Sequence, residues 1–195
     1  MQQKNLINSE DQLILISGFF VKRPADFFYS QLISSLAWKQ EQITVVGRKV
    51  LVPRLVCWYG EKHAVYSYSG VAHQPLPWND TLLDVHQRIE TFSGFSFNSV
   101  LANLYRNGYD SMGWHADKEK ELGKNPAIAS LSLGDKRLFK IRHNKTGETI
   151  NIDLQHGDLL LMSGALQHHW RHCLPKTKFE KKPRINLTFR KILQL

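Results

Sequence analysis

The tripeptide His115-Ala116-Asp117 has the residue types and the spacing of a metal site. In an extended segment, residues i and i+2 point to the same face, so the imidazole and the carboxylate can meet at one point. A third ligand could come from the histidine-rich segment 168–172, which lies far downstream. Two histidines and one carboxylate form the facial triad of non-haem Fe(II) oxygenases and leave coordination positions open. Zinc accepts the same ligand types and is the alternative metal.

The segment Arg184–Arg190 alternates polar and apolar residues, which is typical of a strand with two different faces. Its polar face contains Arg184, Asn186, Thr188 and Arg190, and its apolar face contains Ile185, Leu187 and Phe189. Two arginines on one face would suit a dicarboxylate, because a guanidinium matches a carboxylate in bidentate geometry. An edge strand with its polar face in water is the alternative interpretation. Asn103 and Tyr105 share one face of another strand-like run and could supply further hydrogen bonds.

Short strand-like runs separated by turn signals follow Gly94 and predict a two-sheet roll of roughly 100 residues. These runs are Ser99–Tyr105, Ala127–Leu133, Arg137–Arg142, Glu148–Leu154, Asp158–Met162 and Arg184–Phe189. The preceding part is mixed, with a strand over Leu13–Phe20, a helix from Pro24, a hairpin over 43–52 and a helix capped by Asn79 or Asp80. The sequence therefore predicts an α+β, mainly β fold, with an N-terminal part at 1–94 and a β-rich core at 95–195.

Charge and composition narrow the class of protein. Lys and Arg number 26 against 17 Asp and Glu, which gives a net charge of +9, and eight of the basic residues lie in 171–195 beside a single acid. This excess predicts a polyanionic partner or an anionic ligand, and a solvated surface is the alternative. No apolar run is long enough to cross a membrane, and the N-terminus lacks a signal-peptide core. With only Cys57 and Cys173, we expect a reducing compartment, either the cytoplasm or a eukaryotic nucleus.

Several motifs occur in an order that resembles the AlkB family of Fe(II)/2-oxoglutarate-dependent dioxygenases, and in particular its branch that repairs alkylated DNA. The resemblance covers roughly residues 43 to 193. It implies a double-stranded β-helix, or jelly roll, with N-terminal helices and a lid that recognises the substrate nucleotide. The segment Arg184–Arg190 is its most specific motif. The other matching segments are Val52–Arg54, Tyr66–Gly70, Asn103–Tyr105, His115–Asp117, Pro126–Gly134, Asp158–Met162 and Trp170–Pro175.

The resemblance implies roles for the candidate residues. His115, Asp117 and His172 would hold Fe(II), and His172 is preferred to His168 and His169 because Trp170 and the residues from Cys173 to Pro175 match the setting of the family's distal histidine. Arg184 would pair with the distal carboxylate of 2-oxoglutarate, with help from Tyr105. Asn103 and Arg190 would serve the metal end of the cosubstrate. Asn186 and Thr188 would line its pocket.

The resemblance also implies contacts with the substrate. Tyr68 would stack on the damaged base opposite His115, close to Tyr66 and Ser69, and Glu119 would face the exocyclic group of the base. Arg54 would contact the DNA backbone, and the loop with Lys176 and Lys178, between the distal iron ligand and the last strand, is a further candidate for phosphate contacts. Val46, which precedes Gly47, stands where duplex-acting relatives have a bulky wedge. A residue this small makes a preference for double strands doubtful.

The implied reaction is oxidative dealkylation of N-alkylated bases, of the 1-methyladenine and 3-methylcytosine type, with Fe(II), 2-oxoglutarate and O₂. This reaction would repair single- or double-stranded DNA by direct reversal, because the target base must be flipped out or already unpaired. The same chemistry on RNA or on a protein side chain is one alternative. A catalytically silent, basic nucleic-acid-binding module is another, although the complete triad and both arginines argue against it. We expect a monomer without a membrane partner.

Overall fold

Two antiparallel β-sheets lie face to face, and helices cover the outer side of one of them. The computed structural model describes residues 1–8, 10–45, 47–68 and 71–194. The strands are β1 (Gln2–Asn8), β2 (Asp11–Ser17), β3 (Gln42–Val45), β4 (Arg48–Leu51), β5 (Leu55–Gly60), β6 (Tyr66–Tyr68), β7 (Val71–His73), β8 (Ser99–Tyr105), β9 (Met112–His115), β10 (Ile128–Gly134), β11 (Arg137–His143), β12 (Thr149–Leu154), β13 (Leu159–Gly164), β14 (Trp170–Leu174) and β15 (Arg184–Arg190). The helices are α1 (Lys22–Ser35), α2 (Asp80–Ser93) and the single turn α3 (Leu166–His169), and a 3₁₀ turn spans Lys120–Leu122.

Within the described residues, seven strands form a large sheet in the order β1-β2-β13-β10-β15-β8-β5, and four form a small sheet in the order β12-β11-β14-β9. Neighbours in these sheets are mostly distant in sequence, as in a rolled sandwich. The hairpins β3–β4 and β6–β7 stand apart from both sheets. This arrangement confirms the predicted mainly β jelly roll. Three strands from residues before Gly94, β1, β2 and β5, belong to the large sheet.

Helices α1 and α2 bury their apolar faces against the outer side of the large sheet. Leu32 of α1 and Leu82 and Ile89 of α2 are fully buried in the same cluster as Leu187 of β15. Both helices form where the spacing of apolar residues predicts them. The side chain of Asn79, one of the two caps that the sequence predicts, caps α2 by accepting a hydrogen bond from the Leu82 backbone N–H at 2.8 Å.

Strand β15 lies inside the large sheet, between β10 and β8. All seven of its residues are buried. Ile185, Leu187 and Phe189 point into the helix-covered core, so the alternating residues face the small sheet. The interpretation of β15 as an edge strand is therefore wrong, because both of its backbone edges are paired. Its polar face is enclosed between the two sheets.

A second core fills one end of the space between the sheets. Phe139 and Ile141 of β11 and Ile152 of β12 pack there against Ile128 and Leu160 of the large sheet. The other end of this space carries the polar residues of β15 and β8. Strands β5, β9 and β14 are absent from the sequence-based expectations, because β5 reads as a continuous apolar run and the other two are short. No helix among the described residues is long and apolar enough to span a membrane.

Candidate metal centre and cosubstrate pocket

His115, Asp117 and His172 meet at one point between the sheets. Strand register brings them together, because His172 of β14 pairs directly with His115 at the end of β9. One ligand atom from each of the three residues lies within 4.8 Å of the other two. The imidazole rings of the two histidines are 4.2 Å apart at their centroids. This is a set of two nitrogen ligands and one oxygen ligand, the donor set of a facial triad.

Neighbouring residues hold the three side chains in place. Nδ1 of His115 lies 2.9 Å from the carbonyl oxygen of Gly113, a partner that favours a proton on Nδ1 and leaves Nε2 for a metal. The backbone N–H of Asp117 donates to Oε1 of Gln167 at 3.0 Å. The ring of Phe139 stacks on His172 with centroids 5.3 Å apart. Gln167 is a supporting residue that the sequence-based interpretation missed, since it gives no signal of its own.

The two other histidines of the 168–172 cluster have partners outside this centre. Nδ1 of His169 lies 2.8 Å from Oδ1 of Asp11, whose other oxygen accepts from Nε1 of Trp170. Nε2 of His168 lies 3.0 Å from Oδ1 of Asn125. The geometry therefore favours His172 as the third ligand, in agreement with the choice that the resemblance implies.

The electrostatics of the centre suit metal binding at neutral pH. Burial acts to raise the pKa of Asp117, but electrostatic interactions with Arg190 and with the imidazoles of His172 and His115 lower it to about 2. Burial, together with the charge of His115, lowers the pKa of His172 to about 3. Asp117 is thus ionised and His172 neutral at pH 7, which are the forms that coordinate metals. Oδ2 of Asp117 is buried and has no hydrogen-bond partner among the described residues, so it can accept an ion.

A cavity next to the triad contains the residues predicted to bind 2-oxoglutarate. Arg184 is only 2% exposed and donates from Nη2 to Oγ of Ser132 at 2.8 Å. Its Nε and Nη1 have no hydrogen-bond acceptor among the described residues. Burial lowers the pKa of Arg184 to about 10, but the side chain is still a cation at pH 7. A buried cation with two open donors suits an anionic ligand, and a carboxylate matches its geometry.

The remaining predicted residues form the walls of this cavity. The guanidinium carbon of Arg184 lies 5.4 Å from the ring centre of Tyr105. Nη2 of Arg190 donates to Oδ1 of Asp117 at 3.0 Å and so links the cavity to the metal ligands. The residues that line the cavity include Asn103, Tyr105, His115, Asp117, His172, Arg184, Asn186, Thr188 and Arg190, together with Ser130, Phe139, Met162 and Leu174. The last four were not predicted, although Ser130 and Ser132 alternate with apolar residues in the same way as β15.

A second cavity, of about 60 Å³, opens on the other side of the triad. It shares His115, Asp117 and Arg190 with the first cavity, so the metal centre lies where the two meet. Oε2 of Glu119 is buried in this region without a hydrogen-bond partner among the described residues. Trp58, Glu41 and Met112 line the cavity as well and were not predicted. Nothing in the sequence around Trp58, Glu41 or Met112 indicates a function.

Arg54, predicted to contact a DNA backbone, lies on the wall of the second cavity instead of on the outer surface. It is 5% exposed, and its Nε donates to Oδ1 of Asn103 at 2.7 Å. A phosphate could therefore reach it only through the cavity. Tyr66 and Tyr68 belong to the hairpin β6–β7, and Gly47 occupies the turn between β3 and β4 with a φ of 75°. Val46 and Ser69 lie outside the described residues, whereas Lys176 and Lys178 are exposed after β14.

Comparisons with known proteins agree with this geometry. The sequence pattern of the 2OG-Fe(II) oxygenase superfamily matches residues 12–190. The chain is 41% identical over 191 residues to the Bos taurus protein named alpha-ketoglutarate-dependent dioxygenase alkB homolog 3, covering 93% of this chain and 66% of that protein. It is 37% identical over 185 residues to the Mus musculus protein named DNA oxidative demethylase ALKBH2, covering 89% of this chain and 77% of that protein.

A solved structure, described as that of OsALKBH1, superposes with a TM-score of 0.64 at 19% identity and covers 92% of this chain and 97% of that one. At this identity the likeness concerns the fold alone. The superfamily match and the two relatives rest on sequence along most of the chain, including all three metal-ligand candidates. The chain belongs to the AlkB family of Fe(II)/2-oxoglutarate-dependent dioxygenases.

Proposed function

We propose that this protein oxidatively removes alkyl groups from base nitrogens in DNA, with lesions of the 1-methyladenine and 3-methylcytosine type as substrates. The observation that carries the proposal is the position of the metal triad between two cavities of opposite character. One cavity holds the buried cation Arg184 with open donors, and the other holds the partly exposed Glu119, whose Oε2 atom is buried and is an open acceptor. The names of the relatives, a dioxygenase and a DNA oxidative demethylase, support the same reaction.

The residues of the first cavity fit the cofactors of the family, which are Fe(II), 2-oxoglutarate and O₂. His115, Asp117 and His172 would hold the metal, while Arg184 would bind the distal carboxylate of 2-oxoglutarate. Arg190 keeps Asp117 ionised and oriented through their 3.0 Å contact. When bound, this cofactor set supplies hydroxylation of the alkyl carbon, coupled to decarboxylation of 2-oxoglutarate to succinate. The hydroxylated group then leaves as an aldehyde and the base is restored.

The second cavity would hold the flipped base beside the metal. N-alkylation at these positions gives the base a positive charge, which the open Oε2 of Glu119 would stabilise. Tyr68 would stack on the base opposite His115, near Tyr66 and Ser69, because an aromatic ring tolerates different bases. The protein would thus exclude water, orient the alkyl group and select substrates whose base carries a positive charge.

Contacts outside the cavities would bind the nucleic-acid strand. Lys176 and Lys178 are exposed after β14, where their ammonium groups can reach phosphates. We propose that the part before residue 95 supports the core through its helices and its strands of the large sheet, and that its hairpins β3–β4 and β6–β7 act as the lid over the base cavity. Valine at position 46 is smaller than the bulky wedge residue of duplex-acting relatives, and this favours single-stranded DNA over duplex DNA as the substrate.

Methylated oligonucleotides test this function. Single- and double-stranded DNA and RNA carrying 1-methyladenine or 3-methylcytosine are incubated with the protein, Fe(II) and 2-oxoglutarate, and mass spectrometry measures the loss of each methyl group. We expect demethylation of DNA with a matching amount of succinate. Asp117→Ala should abolish both products, since a facial triad needs its carboxylate. Asp84→Ala, which removes a solvent-accessible carboxylate of α2 remote from both cavities, is the matched control. Full turnover in Asp117→Ala, or no loss of methyl groups from any oligonucleotide with the wild type, would contradict the proposal.

A further inference from the structure

Several lysine and arginine side chains lie on the outer face of the small sheet. Phe139 and Ile141 point from β11 into the core between the sheets, so the alternating residues of β11 must point outward. These outward residues are Leu138, Lys140 and Arg142, preceded by Lys136. Arg171 of β14 pairs in register with Arg142, which extends the same face across the next strand. The resulting surface is basic along about 20 Å of β11.

Most of these cations have no anionic partner in the protein. Lys136 approaches Asp153 at 3.3 Å, and Lys181 approaches Asp135 at 3.9 Å. Among the residues that the structure describes, no carboxylate pairs with Lys140, Arg142, Arg171 or Lys176. A cluster of like charges without counter-charges costs free energy in the isolated protein, and a bound polyanion would offset this cost.

Aromatic rings lie at both ends of the basic face. Trp114 of the edge strand β9 is 37% exposed, and the guanidinium carbons of Arg142 and Arg171 lie 4.9 Å and 5.7 Å from its ring centre. Phe179 in the loop after β14 is 80% exposed. A phenylalanine this open makes little contact with its own protein, so its ring is available to a partner. Basic side chains interleaved with exposed aromatic rings are typical of surfaces that bind single strands.

A groove runs between the loop 175–181 and the outer face of β11. Its volume is about 430 Å³, and its lining includes Lys136, Lys140, Lys176, Phe179 and Lys181, with Asp153 as its one carboxylate among the described residues. It begins three residues after His172, and its residues Lys136 and Lys140 lie on the face of β11 that points away from the core between the sheets. This groove thus combines several ammonium groups with one exposed ring, which match the phosphates and a base of a nucleic-acid strand.

We propose that the outer face of the small sheet is a second binding surface for single-stranded nucleic acid. Lys136, Lys140 and Lys176 hold phosphates, and a base stacks on Phe179. The part of the nucleic acid outside the lesion crosses the edge strand β9 at Trp114 and continues along β11. The inference rests on the proposed function, because it assumes a nucleic-acid substrate, and it adds a site remote from the reacting base. It predicts that affinity grows with the length of the strand.

Fluorescence anisotropy on labelled thymine oligomers of 5 and 20 nucleotides, as DNA and as RNA, tests this surface. The variants are Lys136→Gln/Lys140→Gln and, because Phe179 is outside the core, Phe179→Ala. We expect each variant to bind the 20-mer at least about fivefold more weakly than the wild type. For the double variant, the slope of log K against log salt concentration should be less steep by about 1.4. Each lost phosphate contact removes about 0.7 from this slope. Affinity for the 5-mer and turnover of a methylated 5-mer should change less than twofold.

Lys22→Gln/Arg23→Gln is the matched control, since it removes two charges from α1 on the opposite side of the molecule. Affinity for the 20-mer within twofold of the wild type in both test variants would overturn the proposal, and so would an equal loss in the control. A loss with only one of DNA and RNA would support the surface and assign it to that polymer. Failure of the wild type to demethylate the 5-mer would contradict the proposed function, whereas the length dependence of binding tests the surface alone.

Discussion

Burial of Arg184 has opposite effects on ligand binding and on the stability of the ligand-free protein. Its guanidinium is buried, and two of its nitrogens lack acceptors among the described residues. A buried cation in this state destabilises the ligand-free protein and stabilises the complex with a carboxylate. We therefore predict that the enclosed polar face of β15 is a binding site and not merely a structural network.

Replacing Arg184 by Gln tests this interpretation at the scale of one side chain. We expect 2-oxoglutarate to bind roughly 10- to 100-fold more weakly, because hydrogen bonds to a charged group contribute about 1.5–3 kcal/mol. The melting temperature of the ligand-free protein should not fall, because an unpaired buried charge has been removed. Titration calorimetry with Mn(II) in place of iron measures the first effect, and calorimetric unfolding measures the second. Arg142→Gln, on the outer face of the small sheet, is the control, and unchanged binding in Arg184→Gln would refute the assignment.

At the scale of the elements, tight turns decide how the strands reach their neighbours. Gly157 lies in the turn before β13 with a φ of 84°. Its carbonyl oxygen accepts from the Phe20 N–H at 3.0 Å, and its N–H donates to the carbonyl oxygen of Ser132 at 2.8 Å. A Cβ at this position would overlap the carbonyl oxygen of Phe20. The turn therefore joins β10 to the start of α1 at a distance that only glycine permits.

Alanine substitutions at Gly147 and Gly157 distinguish the cost of backbone strain from the cost of the close approach to Phe20. Gly147 has a φ of 73°, but a Cβ there would have no atom within 4 Å. We expect Gly147→Ala to cost about 1–2 kcal/mol of the free energy of unfolding, from the left-handed backbone alone. Gly157→Ala should cost about 1–3 kcal/mol more, because the backbone of Phe20 must move. Urea denaturation measures both costs, and equal values would show that the contact with Phe20 is unimportant.

At the scale of the whole molecule, the buried triad makes the metal-free protein sensitive to acid. The pKa of His172 is about 3 in the folded chain and 6.5 as its ordinary value, so between these limits the unfolded chain binds a proton that the folded chain does not. Lowering the pH through this window therefore favours unfolding, by up to about 1.4 kcal/mol per pH unit. The pKa of Asp117, lowered to about 2 from 3.8, adds a loss in the same direction between pH 3.8 and 2.

The metal-free wild type should accordingly lose stability steeply from pH 6.5 to 3, and His172→Gln should lose less over the same range. Urea denaturation at a series of pH values gives the free energy of unfolding for each protein. His63→Gln, which removes an exposed histidine, should keep the slope of the wild type. If His172→Gln and the wild type show the same slope, His172 is not buried in its neutral form.

The sequence by itself determined the features that depend on local periodicity. The i, i+2 spacing placed His115 and Asp117 on one face, and the alternation in Arg184–Arg190 separated its polar face from its apolar face. Apolar spacing and Asn79 located α1 and α2. Each of these inferences depends on neighbours along the chain, whose geometry is set by the repeat of a strand or a helix. The resemblance to the AlkB family added the roles of individual residues, which periodicity does not contain.

Only the tertiary structure decided which strands lie side by side. The register of β14 against β9 brings His172 to the metal centre, and the position of β15 between β10 and β8 encloses its arginines. The placement of Arg54 on a cavity wall and the basic outer face of the small sheet also depend on the packing of segments remote in sequence. Sheet neighbours in this fold are joined by hydrogen bonds between distant residues, and no local pattern specifies which distant strand will pair.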